Sequence, residues 1–246
     1  MSSWGWADWA LLLTVATMGT VVAYLRNPEH KAFMLMLPVP FTFALLAVNK
    51  DLDATNILAM LATFGYTVAV WALRVRCRVP IVLAIAIAVA GYAFTGMWMA
   101  KLHPTGNAIF WIATIVTWLA SVALIRWLPY KEEPHHRTPL PVWIKFPVIA
   151  LAIVGLIQIK RQLGGFTTGF PMVGIVVAYE SRHSLWTNVR RMPWILAIVV
   201  PMEVTIWLLQ PRVGMPVALV LAWPVYLVGL WVFHAISRKA FEDEAD

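Results

Sequence analysis

Residues 193–210 read PWILAIVVPMEVTIWLLQ, an apolar run whose one ionisable side chain is Glu203. A helix crossing the hydrocarbon core of a bilayer, roughly 30 Å thick, needs about 20 predominantly apolar residues. With Arg191 before it and Arg212 after it, the run reads as a membrane-spanning helix with a carboxyl group near its middle. The same pattern recurs along the chain. Apolar runs over 8–25, 32–48, 55–73, 79–100, 108–128, 142–159, 164–179, 192–210 and 213–236 predict nine spanning helices. Composition agrees: of 246 residues 61% are hydrophobic and 13% charged, with 14 Trp. A water-soluble domain carries about 25% charged residues, and Trp is enriched at membrane interfaces. The fold class is therefore an all-α integral membrane protein.

The net charge of +7 reads as topology, not as nucleic-acid binding, because the bases sit in short links and form no stripe with aromatics. Of the 19 Lys and Arg, Lys50, Lys101, Lys160, Arg161 and Arg212 fall on one side of a nine-helix arrangement, and the other 14 share the opposite side. The positive-inside rule then places the N-terminus outside and the C-terminus in the cytoplasm. Residues 1–8 hold no Lys or Arg, so the first apolar run reads as a retained helix, not a cleaved leader. The lone Cys77 forms no internal disulfide, and the histidines lack metal-ligand spacing, so neither a metal nor another cofactor is expected.

Residues 129–141, PYKEEPHHRTPLP, form a proline-rich link between two halves, 1–128 and 142–246. The halves share a layout. Each has a first helix, a second segment interrupted by special residues, a third helix and a Pro-led fourth, starting near Pro80 and Pro216. From Pro38 to Pro80 is 42 residues, and from Pro171 to Pro216 is 45. A fifth helix between two four-helix units inverts the second unit, a plan common among secondary transporters. In such proteins the site lies where corresponding segments are broken. Here those are Pro38 and Pro40, with Thr42 behind them, and the run Gly164–Pro171, which holds Gly165, Thr167, Thr168, Gly169 and Pro171. Irregular backbone at membrane depth survives only in packed protein or beside a wet cavity, so these breaks mark either kinks or a path. Glu203, two residues after Pro201, is costly to hold in the bilayer, about 2.5–3.5 kcal/mol on insertion scales. It is a candidate proton- or cation-coupling group, or a protonated packing residue.

The stretch Leu37-Pro38-Val39-Pro40-Phe41-Thr42-Phe43-Ala44-Leu45 resembles the Pro-rich second helix of the GlpM-like family of small bacterial inner-membrane proteins. Gly169-Phe170-Pro171 followed by a Pro-led final helix near Pro216 has a similar layout. The chain looks like two such units fused around an extra helix, a plan also similar to that of drug/metabolite transporters. The resemblance implies a bacterial inner-membrane location and a loose link to exopolysaccharide production, with no catalytic residues to carry over. Phosphate loops, nucleophile elbows and paired aspartates are missing, so no enzymatic activity is expected. Two functional readings remain. One is a transporter or flippase for a small or lipid-like solute, with the bilayer as its setting. The other is a structural or assembly subunit that packs against copies of itself or membrane partners.

Overall fold

The computed structural model describes residues 5–102, 104, 106–129, 131, 133–134, 143, 146–147, 150–151, 154 and 162–242. Their regular structure is helical throughout. In chain order the elements are α1 (Trp6–Tyr24), α2 (Pro28–Met36), α3 (Val39–Val48), α4 (Ala54–Trp71), a π-helical turn (Ala72–Arg76), α5 (Ile81–Leu102) and α6 (Asn107–Trp127). After them come a 3-10 turn (Gly164–Thr167), α7 (Met172–Glu180), α8 (Leu185–Val213) and α9 (Met215–Glu242). Among the described residues, 7 helices are long and apolar enough to cross a membrane, counting α2 with α3 as one. The sixth run of the sequence, 142–159, lies mostly outside the described residues.

Two of the expected runs are broken where their special residues fall. The second splits at Leu37-Pro38, because proline offers no N–H and disfavours helix in the residue before it. The seventh, read from sequence as a span over 164–179, is instead the 3-10 turn followed by the nine-residue α7. At 1.5 Å per residue α7 is roughly 13 Å long, less than half the hydrocarbon core. By contrast α8 runs unbroken through Pro193, Pro201 and Pro211, and its 29 residues extend beyond the predicted 192–210. Surrounding helices hold it in one piece, and only Gly214, at φ +78°, separates it from α9.

Local chemistry starts the helices. Asn27 Oδ1 accepts the Glu29 N–H at 2.8 Å with Pro28 in the first helical position. Asp53 and Asn56 form a capping box at α4, with Asn56 Oδ1 accepting the Asp53 N–H at 2.9 Å. At the centre, α4 packs against α8, and α6 packs on both. α5 leans on α4, and α9 leans on α8. The outer faces of α5 and α9 expose large apolar side chains such as Leu83, Phe94, Trp98, Val220, Val228 and Trp231, as a lipid-facing surface requires.

Candidate functional site

The two breaks meet. A cavity of about 100 Å³ lies between them, lined by Pro38 and Pro40 from one break and Thr168, Gly169 and Pro171 from the other. Thr63 and Thr67 of α4 and Ile195 and Val199 of α8 close its sides. Among the described residues, no charged side chain lines it. Met34, Met36, Met60, Met172 and Met192, five of the 11 methionines, contribute to its wall. Unbranched thioether chains let such a wall adapt to what it contacts.

The broken run 164–171 lies against α4 and α5, and side chains replace its missing helical hydrogen bonds. Tyr92 OH donates to the Phe166 carbonyl at 2.8 Å. Thr63 Oγ1 donates to the Gly169 carbonyl, and Thr168 Oγ1 to the Gly165 carbonyl at 2.7 Å. Asn56 Nδ2 donates to Thr168 Oγ1 at 3.0 Å and reaches the Gly165 carbonyl at 3.5 Å. Buried carbonyls away from water need such partners. Glycine permits the approach. A Cβ on Gly165 would collide with Thr55 Oγ1 and stand 3.0 Å from the Asn56 backbone nitrogen. One on Gly169 would stand 2.8 Å from Ala59 Cβ. Both glycines belong to the run that the sequence marked as broken.

A second space of about 200 Å³ lies beyond the broken run, bordered by Lys50, Asp51, Asp53, Thr55, Asn56, Gly164 and Gly165. Leu45, Val48, Ala100 and Pro104 complete its border, so it is about half polar where the cavity is mainly apolar.

Glu203 lines neither space. It is fully buried on α8, one turn beyond Val199, and neither carboxyl oxygen has a hydrogen-bond partner among the described residues. The level of Glu203 in the bundle follows from two contacts between α6 and α8. Phe110 stacks on Trp207 with centroids 4.4 Å apart, and Trp186 Nε1 donates to the Pro129 carbonyl beyond the far end of α6. The helices are therefore antiparallel. Thr114, one turn after Phe110, is level with Glu203, one turn before Trp207. Thr114 and Thr117 are buried, and their hydroxyls also lack partners among the described residues. Pro201 has no N–H to offer Ala197, which frees a carbonyl on the same stretch of α8.

The remaining sequence candidates divide. Thr168 lines the cavity, whereas Thr167 is buried in the 3-10 turn. Thr42 Oγ1 is spent on the Pro38 carbonyl at 2.9 Å, the back-bonding common for threonine in helices. His135-His136 lies outside the described residues. Sequence reading missed Asn56, which closes the capping box at α4 and also bridges to Thr168.

At the basic end, beyond the cavity lining, charged groups make three contacts. Arg191 Nε donates to Glu29 Oε2 at 2.6 Å. Lys31, 1% exposed, donates from Nζ to the Glu180 carbonyl at 2.9 Å. Glu133 accepts the Thr187 N–H at 2.6 Å and caps the start of α8.

No family model, curated protein or solved structure matches this chain.

Proposed function

We propose that the protein is a secondary transporter or flippase of the bacterial inner membrane, moving a small or lipid-like solute, with Glu203 as its proton-coupling group. The observation that carries this reading is the cavity where the two helix breaks meet. Breaks that only kinked helices would pack shut against each other, and here they leave a recess between them. The uncharged, methionine-rich wall suits an uncharged solute, toward which the hydroxyls of Thr63, Thr67 and Thr168 can only accept, since their protons go to the Gly169, Thr63 and Gly165 carbonyls.

The plan we propose is nine helices in inverted repeats, N-terminus outside and C-terminus in the cytoplasm as the loop charges favour, and two contacts fit the repeats. α2, from the first break, packs on α8, and the 3-10 turn, from the second, packs on α4. Each broken segment thus meets the third helix of the other half, as a twofold relation in the membrane plane requires. The likeness to GlpM-like proteins fits the same plan.

The subunit reading needs Glu203 to bond across an interface with another chain. Its complete burial within this chain speaks against that use. Infrared difference spectroscopy of the protein in nanodiscs tests the coupling role. A carboxyl band that responds to bulk pH and vanishes in Glu203→Gln is expected. A band indifferent to pH would mean a sealed packing residue, and the subunit reading would then lead.

A further inference from the structure

The two spaces abut the same three elements in the same order. On α4 the polar space touches Thr55 and Asn56, and the cavity touches Met60, Thr63 and Thr67. On the broken run it touches Gly164 and Gly165, and the cavity begins at Thr168. On α3 it touches Leu45 and Val48, and the cavity touches Phe41. The wall between them is therefore about one helical turn thick, on the order of 5 Å.

That wall is fastened by polar contacts. Asn56 Nδ2 donates to Thr168 Oγ1, which in turn donates to the Gly165 carbonyl. Asn56 is 2% exposed and Thr168 5%. An amide–hydroxyl contact beside a polar space exchanges readily for contacts with water or a solute, because the net worth of such a bond is about 1 kcal/mol. An apolar plug of the same thickness would have no replacement partners. Asn56 Oδ1 is held in place by the Asp53 N–H, so only the amide nitrogen has to change partner.

We propose that Asn56, Thr168 and the Gly165 carbonyl form a gate between the polar vestibule at Lys50–Asp53 and the cavity, and that solute enters the cavity by separating the broken run from α4. This inference rests on the transport reading and adds the route and the residues that control it.

The test needs no known solute. In a Cys77→Ser background, Thr67→Cys places a thiol in the cavity wall. Oriented vesicles are treated from either side with a charged, membrane-impermeant methanethiosulfonate. Adding Thr168→Val removes the hydroxyl at near-constant shape. It is expected to raise the labelling rate about tenfold from the vestibule side alone, and Thr168→Ser to return it to the parent rate. Thr168→Ala serves the same purpose if the valine variant is not monodisperse. If the Thr67→Cys protein labels from the vestibule side at one rate whatever stands at 168, the gate is overturned while the transport reading stands. If no variant labels from either side, the gate and the path through the cavity both fail.

Discussion

Beyond the two ends of the cavity lining lie polar contacts of different chemistry. At the basic end Glu29 pairs with Arg191, and Lys31 is buried against the Glu180 carbonyl. At the vestibule end the wall holds no charge and rests on an asparagine, a threonine and two glycines packed on α4. Charges removed from water lose hydration that only a specific partner restores, so separating them is costly. Neutral amide and hydroxyl groups lose less and recover it from water. The contrast teaches that the Glu29–Arg191 pair is the firmer latch and the Asn56–Thr168 contact the lighter one.

The largest expected effect comes from breaking the latch. Arg191→Ala leaves Glu29 without its partner in a half-buried site and should destabilise the protein by about 2–3 kcal/mol. Thermal unfolding in detergent reads this loss, and the Thr67→Cys thiol should then label from the basic end. An unchanged melting temperature would show that the pair does not hold that end.

Next is crowding beside the lighter contact. Gly169→Ala sets a methyl group 2.8 Å from Ala59 Cβ and 2.9 Å from the Ala59 carbonyl carbon. Overpacking of this kind costs about 1–3 kcal/mol. Gly91 on α5 has nothing within 4 Å of a built Cβ, so Gly91→Ala should stabilise by about 0.5–1 kcal/mol. Opposite signs in one unfolding assay would sharpen the comparison, and equal shifts would remove the close approach from it.

The smallest effect concerns the excess positive charge at the basic end. Partial burial, then the charges of Arg182 and Arg74, hold the His183 imidazole below its ordinary value of 6.5. The charged form is disfavoured in the folded protein. As pH falls through 6.5 the unfolded chain takes up this proton first, and the site contributes less stability there than at neutral pH. An NMR titration of the His183 ring should show a midpoint below 6.5, moving upward in Arg182→Gln. A midpoint at 6.5 in both proteins would remove the local charge excess.

Much of this was legible from periodicity and punctuation. Apolar runs of spanning length correspond to seven of the nine expected helices, because the hydrocarbon core imposes one length on all spans; the seventh run proved too short and the sixth lies mostly outside the described residues. Pro38 and the Gly164–Pro171 run announced their breaks because proline lacks a donor and glycine gains freedom. The burial of Glu203 followed from its place in residues 193–210. Pro201 misled no boundary but broke no helix either, because neighbours on every side of α8 outweigh one lost hydrogen bond.

The sequence by itself determined that the chain is a bundle of apolar helices, which of its segments cannot be continuous, and that a carboxyl group lies within one of the long apolar helices. These are local properties of length, hydropathy and backbone chemistry. Only the tertiary structure decided that the two breaks face one cavity, that Glu203 lies beside the cavity wall and not in it, and that Asn56 joins Thr168 across 112 residues of chain. Inside a bilayer every helix face is apolar, so hydropathy does not say which faces meet. Packing of small residues and the pairing of a few buried polar groups make that choice.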